Sequence, residues 1–271
     1  MLITSTSNPR VKSLRKLRKR RERDKSGKVL IEGYRELLRA LDNNYPIEEL
    51  YICPDLFIGK NEPALIQRVE EKGVQVITLA PDIFRKTAYR DRPEGLLAVG
   101  PQQHLGLDDL QLGKTPLLIV VEAIEKPGNL GTILRSADAT GVDALILCDA
   151  CTDLYNPNVV RASTGTLFTI PVAEADSEST AGWLHRQNIR TLAATPHSDT
   201  LYTDTDMTGA TAIIVGTEQY GLSPFWMNNA QIPVRIPMLG TADSLNVANA
   251  TTLLLYEAVR QRGGPGANRE S

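Results

Sequence analysis

The stretch L-L-I-V-V-E-A-I-E-K-P-G-N-L-G-T-I-L-R-S-A-D-A-T, residues 117–140, decides the fold class. Its first five residues are apolar without alternation, as in a strand covered on both faces. Pro127 and Gly128 then turn the chain, and apolar residues recur at helical spacing over 130–140. Asn129 is placed to cap that helix, while Gly131 and Thr132 leave its first turn open to close approach. A buried strand that feeds a helix through a Gly-containing turn is the repeating unit of a parallel α/β sheet. Apolar runs at 144–147, 191–194, 212–216 and 234–236 extend that sheet, and helical patterns at 180–187 and 223–230 cover it. Residues 245–262 read as a long final helix and 263–271 as a frayed tail.

Upstream, residues 101–116 lack periodicity and contain Pro101, Gly106, Gly113 and Pro116, which marks a linker between a domain at 1–100 and one at 117–262. Within the first domain, strands are expected at 29–31, 50–53, 74–78 and 96–99 and helices at 34–41, 64–71 and 82–88. Before them Asn8 and Pro9 open a helix whose inner face carries Val11, Leu14 and Leu17 and whose other faces are basic.

The chain of 271 residues has a formal net charge of -2, which hides a strong segregation. Residues 10–28 hold eleven Lys or Arg against Glu22 and Asp24, a local net of +9, and the remainder carries a net of -11. Such asymmetry suits either a polyanion-binding segment or a solvated helix face, and charge alone does not choose between them. No run of 18 apolar residues and no charged-then-apolar leader is present, so a cytoplasmic protein without a membrane partner is expected. Cys148 and Cys151 form a C-x-x-C, but Cys53, His104, His185 and His197 supply no second ligand pair at useful spacing. Two small residues at a strand end explain that pair without a metal.

Three segments place glycines and polar groups just after expected strands, where open parallel sheets bind ligands. They are 122–135, then V-G-T-E-Q-Y-G-L-S at 215–223, then I-P-M-L-G-T-A-D-S-L-N-V-A-N-A at 236–250. None contains G-K-[ST], G-x-G-x-x-G or G-x-S-x-G, which removes P-loop, dinucleotide and hydrolase readings. Taken singly, each is a helix start with a structural explanation. In this order, however, they resemble the three signature motifs of the SpoU (TrmH-like) branch of the SPOUT RNA methyltransferases. Asn129 and Arg135 match the first motif. Gly216, Glu218, Gly221 and Leu222 match the second, and Ile236, Pro237, Met238, Gly240 and Ser244 to Val247 match the third. The segment N-P-N-V-V-R-A-S-T-G-T-L-F, 156–168, is also similar to a recurrent family segment. N-P-x-V-K-x-L-x-x-L and I-E-G-Y-R-E-L resemble the substrate-binding domain found ahead of ribosomal RNA members.

The resemblance implies an enzyme that moves a methyl group from S-adenosylmethionine to a ribose 2′-hydroxyl of RNA, most simply 23S ribosomal RNA, leaving S-adenosylhomocysteine and needing no metal. The alternatives are a transfer-RNA enzyme and a non-catalytic ribosome assembly factor. It further implies a deep trefoil knot and a homodimer joined through the C-terminal domain. Arg135, Asn129, Glu218, Ser244 and Asn246 are the implied catalytic set, and Gly216, Ile236, Met238, Leu245 and Ala194 the implied donor site. For RNA contacts the charge run and the resemblance together select Arg10, Lys12, Arg15, Arg18, Lys19, Arg20, Arg21, Arg35, Arg161 and Ser163.

Overall fold

A computed structural model describes residues 2–264 and resolves into two compact units. One contains the chain up to residue 103 together with 153–169, and the other contains 104–152 and the chain from 170 onward. This division departs from the linear one expected at 153–169, which groups with the N-terminal unit instead of with the sheet that flanks it in sequence. Of the expected tail, only 263 and 264 fall within the described residues.

The first unit is built from β1 (Leu2–Ile3), α1 (Pro9–Lys16), α2 (Arg20–Ser26), β2 (Lys28–Glu32), α3 (Tyr34–Asp42), β3 (Glu49–Ile52), α4 (Glu62–Glu71), β4 (Gln75–Leu79), α5 (Pro81–Thr87) and β5 (Leu96–Pro101). Its mixed sheet runs β1-β4-β3-β5-β2, parallel on the β1 side and antiparallel where β5 meets β3 and β2. Val11, Leu14 and Leu17 enter its core with Tyr51, Phe84 and Leu97, as the apolar spacing requires.

The basic segment is two helices where a single one is expected. Asn8 caps α1 by accepting from the Arg10 N–H, and the helix stops at Lys16. Arg23, buried in α2, explains the break: it donates to the Leu17 carbonyl at 2.8 Å and pairs with Asp153, so the turn at 17–19 is held from below. β1 is also absent from the sequence expectation, because two residues carry no period.

The second unit follows the order β6 (Leu117–Glu122), α6 (Pro127–Thr140), β7 (Ala144–Cys148), then α7 (Pro157–Ala162) within the segment belonging to the first unit. It continues with β8 (Val172–Ala175), α8 (Ser177–Arg186), β9 (Arg190–Ala194), β10 (Thr211–Val215), α9 (Pro224–Asn229), β11 (Ile232–Val234) and α10 (Val247–Gln261). All six strands pair in parallel in the order β11-β9-β10-β6-β7-β8. Every residue of β6, β7 and β10 is buried, so the non-alternating apolar runs meet helices on both faces. α7 and β8 lie outside the expected elements. Both are short, and Pro157 and Pro171 punctuate them.

One core face gathers Leu118, Val120, Ile146, Ala193, Ile214 and Trp226. Trp226 is fully buried, and its indole N–H donates to Ser177 Oγ at 2.8 Å, which ties α9 to α8. Trp226→Ala leaves a large cavity and removes the bond that Ser177 Oγ accepts, while that hydroxyl keeps its donation to Asp149 Oδ2. The expected loss is about 3–5 kcal/mol of unfolding free energy, read by urea titration. A change under about 1 kcal/mol contradicts this packing role.

Candidate functional site

The ends of β9, β10 and β11 point to one side of the sheet, the carboxyl edge at which ligands bind in open parallel sheets. A cavity of about 370 Å³ lies there. Ala194, Gly216, Ile236, Met238 and Leu245 all line it, joined by Glu218 and Ser244. The five residues that the resemblance implies for a donor site therefore share one wall system, although they come from three separate loops.

Two glycines shape that wall. A Cβ on Gly216 would lie 2.2 Å from the Gly221 carbonyl oxygen, so no side chain fits. Gly221 has φ +68°, a left-handed conformation that favours glycine. Thr217 and Gly221 exchange backbone hydrogen bonds of 3.0 Å across the turn. The G-x-E-x-x-G pattern is thus a close-packed turn that presents bare backbone to the cavity.

Glu218, on the same turn, is where the motifs meet. Its Oε1 accepts from Asn129 Nδ2 at 2.5 Å and from Asn246 Nδ2, and its Oε2 accepts from Lys126. Asn246 Nδ2 also donates to Asn129 Oδ1 at 3.3 Å, closing a triangle of side chains from α6, the β10 turn and the start of α10. Asn246 additionally caps α10 by accepting from the Ala248 N–H at 3.0 Å.

Asn129 is not the helix cap expected from sequence. α6 starts at Pro127, with Lys126 at the cap position and no capping side chain, which places Asn129 inside the first turn with its amide turned to Glu218. Pro at the first helical position is favoured because it removes no needed donor. Lys126 itself was absent from the sequence-based site. Its one signal is a cation immediately before the Pro-Gly turn.

The Lys126 ammonium and then the Asn129 amide hold the Glu218 carboxylate below its ordinary value of 4.5. Stabilisation from a depressed carboxylate is present above the unfolded value and is lost as pH falls through the folded one.

Arg135 lies one and a half turns further along α6. It is exposed and has no hydrogen bond or ion pair among the described residues. With Thr132 it forms part of an exposed stripe on α6, and beside that stripe the helix packs on α10, with Ser136 and Thr252 hydroxyls 2.7 Å apart. Cys148 is buried, donates to Thr180 Oγ1, and is pushed up to about 12 by that burial; Cys151 is exposed, and both thiols are free.

In the N-terminal unit the basic residues divide by role. Arg10 pairs with Glu49 at 3.2 Å and donates to Gln75, and Arg18 donates to the Lys86, Thr87 and Ala88 carbonyls at the end of α5. Arg20 pairs with Asp24 within α2. Lys12, Arg15, Lys19 and Arg21 are exposed, as are Arg35 and Arg161. Ser163 is fully buried; its hydroxyl donates to the Val160 carbonyl and accepts from the Gly165 N–H, so it shapes a turn.

A cavity at the carboxyl edge of a parallel sheet, with apolar side chains in its wall and a fixed carboxamide and carboxylate cluster beside it, is where α/β enzymes bind their ligands. The chain belongs to the SpoU rRNA methylase family, whose model matches residues 116–256, and an MRM3-like substrate-binding domain model matches residues 8–98. It is 34% identical over 90% of its length, and 86% of the relative's, to the 23S rRNA (uridine(2479)-2′-O)-methyltransferase of Streptomyces viridochromogenes. It is 30% identical to the 23S rRNA (guanosine(2553)-2′-O)-methyltransferase RlmP of Bacillus subtilis, over 94% of this chain and 97% of that one. The crystal structure of an AdoMet-bound rRNA methyltransferase from Sinorhizobium meliloti superimposes with a TM-score of 0.87 at 30% identity, covering 96% of this chain and 97% of that one.

If Glu218 is held as described, the melting temperature of the wild type should exceed that of Glu218→Gln at pH 7. The difference should shrink as pH falls below about 4.5. A gap that stays constant from pH 7 to pH 3 contradicts the assignment.

Proposed function

We propose that this chain transfers a methyl group from S-adenosylmethionine to a ribose 2′-hydroxyl of ribosomal RNA, within 23S rRNA. The observation that carries the reading is the junction of the three motifs on Glu218 beside the Gly216 cavity. A transfer-RNA substrate is the weaker reading, because the chain has a substrate-binding domain match and its relatives are named for 23S rRNA. A non-catalytic assembly factor has no need of Asn129, Arg135 and Asn246, and all three are present.

The cavity residues fit the donor. Ile236, Met238 and Leu245 offer apolar surface to an adenine ring, and the Gly216 turn, which a Cβ would fill, lets backbone groups come close. When bound, S-adenosylmethionine supplies an electrophilic methyl group on a sulfonium. Ala194 and Gly216 border the donor from the β9 and β10 ends, while Ser244 lies on the opposite loop, placed to hold the donor or the ribose. Asn129, Glu218 and Asn246 keep the loops that carry those groups in register. The trefoil knot belongs to this reading, with the third motif as the segment that threads a loop before α10.

Arg135 is assigned to the RNA. A guanidinium at neutral pH is a poor proton acceptor but a strong bidentate phosphate ligand. An exposed, unpaired Arg135 suits that second role: it grips the phosphate next to the target ribose and fixes the 2′-oxygen in line for transfer. The proton then leaves to the phosphate or to water. In this reading the second copy of the chain in a homodimer packs on the exposed side of α10, where Leu253 and Tyr256 are 42% and 50% exposed. The protein works in the cytoplasm on RNA gathered by Lys12, Arg15, Lys19, Arg20 and Arg21, with Arg10 and Arg18 fastening α1 and the turn after it to the rest of the unit.

Arg135→Lys is expected to lower kcat by about a hundredfold or more while calorimetric affinity for S-adenosylmethionine stays unchanged. Near-normal turnover removes the bidentate role. Replacing Lys12, Arg15, Lys19 and Arg21 together with Ala should weaken RNA binding and flatten its dependence on salt. Equal affinity at several salt concentrations assigns those residues to a solvated surface instead.

A further inference from the structure

Two motifs of the N-terminal unit converge on a second cavity that the transfer chemistry leaves unused. I-E-G-Y-R-E-L supplies Tyr34, Arg35 and Glu36, and the 156–168 segment supplies Arg161 and Thr164. Ile58, Gly59, Glu62, Arg90 and Glu94 complete the lining of a space of about 520 Å³, within the range of small-ligand sites.

The wall made by α3, Arg90 and the 163–165 turn is tied down. Arg90 donates to Glu36 at 2.5 Å and to Glu94 at 2.6 Å, a fork clamped between two carboxylates. Gly165 has φ +90°, and a Cβ there would lie 2.7 Å from Glu36 Cα, so its turn is seated directly on the start of α3. Arg39 fastens the same turn by donating to the Thr164 carbonyl and, at 2.7 Å, to its hydroxyl. These contacts explain why motifs more than a hundred residues apart sit together.

Against those walls stand groups without partners. Arg35 and Arg161 are exposed and make no hydrogen bond or ion pair among the described residues. Glu62 is 3% exposed; Oε1 accepts from the Gly59 N–H at 2.7 Å, and Oε2 has no partner. A buried carboxylate oxygen left unpaired is costly, which points to a donor that arrives from outside. Tyr34 is half-buried and Ile58 is 75% exposed, so a ring and an apolar side chain lie at the same opening.

We infer that this cavity is a nucleotide subsite, taking an unpaired guanosine of the RNA with its base between Tyr34 and Ile58, its Watson–Crick edge on Glu62, and its phosphate at Arg35 and Arg161. The inference rests on the RNA reading above. Sequence-specific RNA recognition favours splayed bases stacked on side chains and hydrogen-bonded at their edges. Guanine alone presents two adjacent N–H donors, N1–H and N2–H, to one carboxylate, which still has room after serving Gly59. Because Oε2 is buried, the Ile58-Gly59 segment must shift for the edge to reach it.

The test is calorimetry of the full chain with the four nucleoside 5′-monophosphates, with S-adenosylmethionine at saturation so that the donor cavity is closed to purines. The wild type should bind the guanosine compound about tenfold more tightly than the uridine compound. Glu62→Gln keeps the Gly59 bond but turns the unpaired acceptor into a donor, and should narrow that ratio to within about twofold. Arg35→Ala with Arg161→Ala, both on the surface, should weaken all four alike and serves if the Glu62 variant does not fold. Equal affinity of the wild type for all four, no binding of any, or an unchanged ratio in Glu62→Gln overturns the inference. Methylation of 23S rRNA by the wild type in the same preparation separates the two levels. If it persists while the guanosine preference is absent, only the subsite fails; if it is absent, the RNA methyltransferase reading fails.

Discussion

Everything at the active edge of the sheet depends on one carboxylate. Glu218 receives three side chains from three places in the chain: Lys126 before α6, Asn129 within it, and Asn246 at the start of α10. None of these segments is held by sheet hydrogen bonds at that point, so the carboxylate does for the loops what the parallel ladder does for the strands. Hydrogen bonds to an ionised acceptor are stronger than neutral ones, and such bonds in a network reinforce each other. The cavity beside Glu218 keeps its shape because the residues around it are tied to this point and to the closed Gly216-Gly221 turn.

The division of labour between backbone and side chain follows from that arrangement. Around the cavity, Gly216 and Gly221 matter because of what they lack, and the apolar residues matter as surface. Polar side chains are spent on holding loops together. Arg135, which holds nothing within the described residues, is left free for a substrate. The N-terminal unit shows the same economy: Arg10, Arg18 and Arg23 are structural, and their neighbours face outward.

Much of this architecture was legible in sequence, for definite reasons. Strands buried on both faces advertise themselves as unbroken apolar runs, so β6, β7, β9 and β10 and their parallel pairing followed from composition. The motif spacing likewise identified the residues that share the cavity. What the sequence hid were interactions between distant segments. Asn129 looks like a cap because Asn before an apolar periodic run usually is one, and only Glu218, 89 residues away, redirects its amide. Charge counting treats eleven basic residues alike, yet Arg23 lies buried against Asp153 and Arg18 binds the end of α5. Ser163 reads as a surface hydroxyl until the turn around it is seen to consume both of its bonds.

Asn246 has two employments, capping α10 and holding Glu218, and together they make the helix a lever. α10 runs fifteen residues, about 22 Å at the usual rise per residue. Its first turn reports the state of the cavity, and its exposed side carries Leu253 and Tyr256. A tilt imposed at that side that displaces Asn246 also shifts Val247 and Ala250 in the cavity wall, and an occupant resting on them would resist the tilt. Whatever packs against α10 and whatever fills the cavity are therefore thermodynamically linked, and such coupling is equal in both directions. The packing of the exposed side of α10 and the shape of the cavity are, in this fold, two readings of one helix position.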